Sequence, residues 1–279
     1  MISIARANRS LDEKPITAAL FSFRYDAELV PGLKENISDA VHYFISLDDR
    51  QSEVHFSSEA KRKMALVDKA REINAEWILA VDPDERFEPE LTNRISKLTS
   101  GSKNIIWSFN LRELYDSDAY RDDGTWGNKK QARLFHISHA LEDENAPLHS
   151  TWFSQNKDPK IKPSGINLYH LRMIGRHRRE NRRYLYASLD PDRLHNPIGY
   201  DYLCDERGLR LEKIAPERMY LPPFKETNTI WAAEIDDRQS IVRDPIYSRV
   251  NLLARNLQGS QPTALVDLAK DLLPELGEL

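Results

Sequence analysis

The stretch Trp77-Ile-Leu-Ala-Val-Asp82-Pro-Asp-Glu-Arg-Phe87 runs an apolar segment straight into an acidic turn. A short apolar run bounded by turn formers predicts a strand buried on both faces. Upstream, Glu59–Asn74 places Met64, Ala65, Val67, Ala70 and Ile73 at roughly helical spacing, with Ser57 and Ser58 as candidate caps. Two earlier runs, Ile16–Phe23 and Val41–Leu47, read as strands joined by a short helix over Ala27–Asn36. Downstream, Leu91–Leu98 reads as a helix and Asn104–Asn110 as a fourth strand. Strand alternating with helix predicts parallel pairing through right-handed crossovers.

In such sheets ligands sit beyond the carboxyl ends of the strands. Acidic residues follow two of the strands here: Asp48-Asp49, and Asp82-Pro83-Asp84. Asp82 and Asp84 are two residues apart, and Pro83 stiffens the chain between them. Their oxygens suit a hard cation such as Mg²⁺ or Mn²⁺, which keeps room for water and substrate phosphates. The competing reading is a solvated acidic turn. Asp48-Asp49 could accept hydrogen bonds from a base or ribose, or form an ordinary Asp-rich turn.

The second half is less regular. Tyr115–Asn128 reads as a polar loop, Gln131–Ile137 as a strand, and Leu141–Lys162 as irregular chain. Asn167–Leu171 reads as a last strand leading into an Arg-rich helix over Ile174–Leu189. At helical spacing Arg172, Arg176, Arg179 and Arg183 share a face, which suits phosphate or an anionic acceptor, or a face paired with Glu180 and nearby acids. Two amphipathic helices are expected near Pro245–Leu257 and Thr263–Leu273. These elements divide the chain into 1–240 and a helical C-terminal extension over 241–279. The larger part splits into a nucleotide-binding half over about 16–110 and an acceptor-side half over about 111–240.

The formal net charge of −4 argues against a protein that coats nucleic acid electrostatically. Cys204 is the single cysteine, which excludes an internal disulfide and a cysteine-based zinc site. No run approaches the ~18–20 apolar residues of a membrane span. The opening residues Met1-Ile-Ser-Ile-Ala-Arg-Ala-Asn-Arg are too polar for a signal peptide. These features lead us to expect a soluble, cytoplasmic protein.

Lys61-Arg-Lys-Met-Ala followed by Ala75-Glu-Trp-Ile-Leu-Ala-Val-Asp-Pro-Asp-Glu-Arg-Phe resembles the core of the family 2 glycosyltransferases with a GT-A fold. Val41-His-Tyr-Phe-Ile-Ser-Leu-Asp-Asp resembles the family's second strand and its acidic pair. Trp126 with Gln131-Ala-Arg-Leu-Phe-His136, then Ala146-Pro-Leu-His149, then Leu168-Tyr-His170 and a basic helix with Tyr184, resemble later elements in the same order. The chain departs from the pattern at Arg24-Tyr25-Asp26-Ala27-Glu28, at Arg50-Gln51-Ser52 and at Ser150.

The resemblance implies an α/β fold: a GT-A, Rossmann-like mixed sheet flanked by helices. It implies transfer of a sugar from a nucleoside-diphosphate-sugar donor to a glycan or lipid-linked acceptor, with inversion and with Mn²⁺ or Mg²⁺. On it, Asp48, Asp49, Arg62 and Asp82 are donor-side residues, and Asp82, Asp84 and His170 are metal ligands. A general base should deprotonate the acceptor hydroxyl. Glu142, Asp143 and Glu144 are candidates, Asp143 first among them. Glu85 is a further candidate, or a residue that binds the turn itself. A lipid-linked acceptor would be met peripherally, at the inner face of a membrane. The C-terminal helices leave a homo-oligomer open. Two alternatives stand beside this reading. One is a non-catalytic nucleotide- or glycan-binding protein on a degenerate GT-A fold. The other is a nucleotidyltransferase, against which counts the lack of glycine in Phe21-Ser-Phe-Arg-Tyr-Asp.

Overall fold

The computed structural model describes residues 1–23, 26–50, 59–124, 126–146, 150–193 and 196–224. In chain order the strands and α-helices are β1 (Ile2–Arg6), β2 (Thr17–Phe23), α1 (Val30–Ile37), β3 (Tyr43–Asp48), α2 (Glu59–Glu72), β4 (Trp77–Ala80), β5 (Glu85–Phe87), α3 (Glu90–Thr99), β6 (Ile105–Asp116), β7 (Ala119–Arg121), β8 (Lys130–His136), β9 (Lys160–His170), α4 (Arg176–Leu189) and β10 (Leu211–Lys213). They form a large mixed sheet flanked by helices, the α/β architecture expected from the alternating pattern.

Two compact units divide the chain. The first comprises Met1–Asn110, Lys130–Tyr169 and Pro216–Phe224. The described residues of the second are Leu111–Lys129, with Thr125 outside them, and 170–215 apart from 194–195. The chain passes between the units within the continuous strand β6.

In the first unit the strand order is β1-β3-β2-β4-β8-β6. β2 is parallel to β3 and to β4, with Ala18 opposite Tyr43 on one side and Ile78 on the other. β8 then runs antiparallel to β4, with Ile78 opposite Phe135. β2 and β4 are apolar on both faces because helices or neighbouring chain cover them, as their unbroken runs imply. α2 buries Ala60, Leu66, Val67 and Ala70, and α3 buries Leu91, Ile95 and Leu98, each a stripe at helical spacing. Pro31 lies in the first turn of α1, where its missing N–H has no helical partner to lose. The core joins Leu20, Ile45, Leu66, Val67, Ile78, Ile106, Phe135 and Phe153.

Several elements differ from the sequence reading. β1 was not expected; four of its five residues are exposed, and its backbone pairs antiparallel with β3 at the sheet edge. Only Ile2 packs against the core, too little for a periodic signal. β5 forms inside the acidic segment, with Glu85 and Arg86 both buried, because neighbouring groups pair them. β6 extends through Asp116 and returns as β7, so the stretch expected to be a loop over Tyr115–Asn128 begins as a hairpin. β9 starts at Lys160, earlier than expected, with an exposed, polar first half that hides its strand character.

The second unit has a small apolar centre of Tyr115, Trp126, Met173 and Leu203, with Tyr186, Tyr200 and Tyr202 packed against it. Its strands are β7, paired with the end of β6 and with β10. Arg121 is fully buried there, bonded to Asp123, the Tyr115 hydroxyl and the Asp205 carbonyl. Among the described residues no helix is long and apolar enough to cross a membrane. The expected helices after residue 240, the caps Ser57 and Ser58, and His149 lie outside the described residues.

Candidate donor-binding site

The parallel strands β3, β2 and β4 end side by side, so the segments that follow β3 and β4 emerge at the same edge of the first unit. After β4 the chain turns through Asp82, Pro83 and Asp84. The turn closes on itself: the Glu85 amide donates to the Asp82 carbonyl at 3.0 Å, and the Asp82 amide donates to Glu85 Oε2 at 2.9 Å. Glu85 therefore spends one carboxylate oxygen on the backbone of the turn.

The other oxygen meets Arg133 of β8. A single nitrogen, Arg133 Nη2, donates both to Glu85 Oε1 and to Asp82 Oδ2, the latter at 2.5 Å. Burial alone would suppress the guanidinium charge, but the two carboxylates more than restore it and hold Arg133 above the ordinary arginine range. The two acids differ in access: the Glu85 side chain is 1% exposed and that of Asp82 is 48% exposed. Asp84 is buried.

Arg86 props the turn from below. Its Nη1 donates to the Pro83 and Glu85 carbonyls at 2.8 and 2.7 Å, and its Nη2 donates to the Leu29 carbonyl at 2.9 Å. Burial pushes Arg86 down to about 10, against the pull of Asp84. Gly32 of α1 makes room for it, since a Cβ there would stand 2.8 Å from Arg86 Nη2.

After β3, Asp48 takes a bidentate fork from Arg50, with Nε at 2.9 Å from Oδ1 and Nη2 at 2.6 Å from Oδ2. That hydrogen bonding pulls the Asp48 carboxyl down to about 2. Asp49 is tied to the fold twice: its amide donates to the Phe23 carbonyl at 2.9 Å, and its Oδ2 accepts from Arg62 Nη1 of α2 at 3.0 Å. Both side chains of the Asp49–Arg62 pair are mostly buried.

The expected base candidates occupy exposed chain. Glu142 pairs with Lys157 Nζ at 2.9 Å, which holds its carboxyl below the ordinary range. Asp143 accepts from the Asn145 amide at 2.9 Å and so caps its own turn. Glu144 pairs loosely with Lys61 at 3.7 Å. Glu85 lies beside Asp82, with Oε2 on the Asp82 amide and Oε1 on Arg133.

His170 belongs to the second unit, where its Nδ1 stands 3.1 Å from Glu113 Oε2. Glu113 is fully buried and also receives Arg172 Nη2 at 3.1 Å and Lys129 Nζ at 3.3 Å, both on Oε1. Lys129 stands 3.8 Å above the Trp126 ring. The Arg face also finds its acids within this unit. Arg172 pairs with Glu113, Arg176 with Glu180 at 2.8 Å, Arg179 with Glu206 at 2.6 Å and Arg183 with Asp201 at 2.6 Å. Of its two readings, the structure favours a face paired with acids.

Among the described residues no three His, Cys, Asp or Glu side chains converge as a metal cage. Asp82 offers one half-exposed carboxylate, with Oδ2 on Arg133, while Asp84 and Glu85 are buried.

Arg133 and Arg86 went unassigned in the sequence. The only signal was a charged residue inside an apolar strand or beside an acidic turn, and its partner could not be read from either.

No family model matches the chain, and no curated protein is similar to it. Among solved structures, similarity is found to the crystal structure of a glycosyltransferase involved in the glycosylation of the major capsid of PBCV-1. The identity is 15%, the TM-score 0.37, and the match covers 56% of this chain and 94% of that one.

Proposed function

We propose that this chain is a glycosyltransferase that moves a sugar from a nucleoside-diphosphate-sugar donor to an acceptor hydroxyl, with inversion at the anomeric carbon. One observation carries the reading. Two acidic segments leave the parallel strands β3 and β4, which flank β2, at the same sheet edge, and arginines from α2 and β8 bond a carboxylate in each. On this reading Asp49, held by Arg62, would accept hydrogen bonds from a ribose or base. Asp82 would hold a Mg²⁺ or Mn²⁺ on the donor diphosphate, and such an ion stabilises the charge that grows on the leaving diphosphate. Glu85 and Arg86 keep the turn in shape, so that Asp82 needs little rearrangement to meet its ligand.

A second reading is a nucleotide- or glycan-binding protein without turnover. It is favoured by the state of the base candidates: Glu142 carries a lysine, Asp143 caps a turn and Glu85 is enclosed.

Thermal-shift measurements with UDP, GDP, TDP and CMP, each with and without Mn²⁺, test both readings. Stabilisation by one nucleotide is expected, larger with the ion and diminished in Asp82→Asn. No response to any nucleotide would overturn the donor site. Binding without release of nucleotide from the matching nucleotide sugar, across a panel of glycan acceptors, would favour the second reading.

A further inference from the structure

We infer that His42 is an acid-operated latch: its neutral ring closes the chain between β1 and β2 onto the edge of the first unit, and a proton on that ring releases β1 and this connection while β2, β3 and β4 stay paired. His42 precedes β3, at the opposite end of that strand from Asp48, so the latch stands apart from the donor-binding reading.

His42 is fully buried and ties the connection with both its backbone and its ring. Its carbonyl accepts from the Ala7 amide and from Arg6 Nη1, each at 3.0 Å, and its amide donates to the Thr17 carbonyl at 2.8 Å. In the ring, Nδ1 stands 2.9 Å from the Thr17 amide nitrogen and Nε2 stands 2.7 Å from the Glu13 carbonyl oxygen. A backbone amide donates and a carbonyl accepts, so Nδ1 presents its lone pair and Nε2 carries the hydrogen. The geometry thus fixes one neutral tautomer. A second proton would sit on Nδ1, pointing at the Thr17 N–H.

Burial first, and then Arg9 and Arg6, hold the ring below the ordinary histidine range, against the pull of the Glu13 carbonyl. The charged groups around the connection do not offset the added proton. Arg9 is buried, donates to the Ala40 carbonyl and to Ser96 Oγ of α3, and meets the half-exposed Glu13 carboxylate at 3.4 Å. Asp39, after α1, accepts from Asn8 at 3.0 Å, and Glu76, before β4, faces Lys103 at 3.9 Å. Asp12 and Lys14 are exposed.

The strand pairing confines the release. β2 is held on both sides, by β3 and by β4. Among the described strands β1 pairs with β3 alone, from Arg6 opposite Tyr43 to Ile2 opposite Leu47, and the Asp48 amide closes its far end on the Met1 carbonyl at 3.0 Å. Four of its five residues are exposed, so its departure uncovers little apolar surface. With the ring bonds lost, β1 and the connection form an opening unit smaller than the whole domain.

The test is amide hydrogen exchange by NMR in low urea, at about pH 7.5 and about pH 5, on either side of the ordinary histidine value. The His42 ring nitrogens are followed in the same samples. The Ala7, Thr17 and Asp48 amides should share one opening free energy. It should be smaller than that of the Val81 amide, bonded to the Leu20 carbonyl in the core, and less sensitive to urea because less surface is exposed. The folded ring binds its proton less readily than the released one, so the latch is complete above 6.5 and weakens as pH falls below it. Protection at the three amides should fall severalfold at the lower pH, up to the limit of about thirtyfold that one such proton sets. The ring should show the Nε2–H tautomer and titrate below 6.5. His42→Asn keeps an acceptor near the Thr17 amide and takes no proton, so it should lose the pH step. A ring that titrates at or above 6.5, unchanged protection in wild type, or a pH step that persists in His42→Asn overturns the latch. Urea dependence at the three amides equal to that of Val81 overturns the local release. Should His42→Asn fail to fold, the ring titration and the wild-type exchange decide the matter by themselves.

Discussion

Glu85 and Glu113 are both buried glutamates that receive arginine, one in each unit, and they are used differently. Glu85 shares its arginine with Asp82, whose carboxylate stays half open to solvent. Glu113 gathers Arg172, Lys129 and His170 around itself and leaves no carboxylate facing out. The surroundings explain the difference. The first unit has an extended apolar core, and its ion pairs can shape a strand-end turn. In the second, the described cluster of Tyr115, Trp126, Met173 and Leu203 is joined by arginine–carboxylate pairs and by cations over its rings. A buried pair repays its desolvation only when its geometry is complete, and breaking one leaves an uncompensated charge. In the first unit charge shapes an acidic turn with one carboxylate open to solvent, and in the second it closes on itself.

The largest expected effect comes from Glu113→Ala. It leaves Arg172, Lys129 and His170 facing one another without their carboxylate and should cost about 3–5 kcal/mol in urea unfolding. A loss under about 1 kcal/mol would mean that Glu113 does not organise the second unit. Arg133→Met strands the enclosed Glu85 and should cost about 3 kcal/mol, and adding Glu85→Gln should recover most of it. Equal losses in the single and double variants would show that the side chain of Arg133, and not its charge, supports the turn.

A smaller effect tests Lys129. Burial, opposed by Glu113, pushes its ammonium down to about 8 from an ordinary 10.5. Between those values the unfolded chain holds the proton and the folded protein does not, so stability contributed here rises with pH from about 8 to 10.5. Wild type compared with Lys129→Met in urea should show that rise, and parallel curves would refute it. The smallest effect concerns Asp48, held at about 2 by Arg50. Its contribution is complete above the ordinary carboxyl value and disappears as pH falls from that value through about 2. Carboxyl-carbon NMR should show Arg50→Ala returning Asp48 towards 3.8, and an unmoved titration would remove the fork from the account.

Legibility in the sequence followed burial. Strands β2 and β4 are unbroken apolar runs, α2 and α3 are apolar stripes, and all four were readable from spacing. The acidic residues at the strand ends were readable as well, because a parallel sheet places them at one edge. What escaped was stabilised by something other than an apolar face. β1 is held by backbone bonds at an edge, β5 by pairing with β9 and by the bonds of its buried Glu85 and Arg86, and the first half of β9 by backbone pairing under a polar exterior. The arginine face near α4 illustrates the same limit: its periodicity was visible, but four acids scattered through Glu113, Glu180, Asp201 and Glu206 were needed to show what it pairs with.

The sequence by itself determined the α/β alternation, the buried parallel strands and the acidic segments at their ends, since these follow from local periodicity and from the chirality of crossovers. Tertiary structure decided which acid stays open. Asp82, Asp84 and Glu85 are near neighbours with the same chemistry, and only the arrival of Arg133 from β8 and Arg86 from the turn itself separates them. Long-range charge pairing carries no sequence period, so the role of each carboxylate is set by what the fold brings to it.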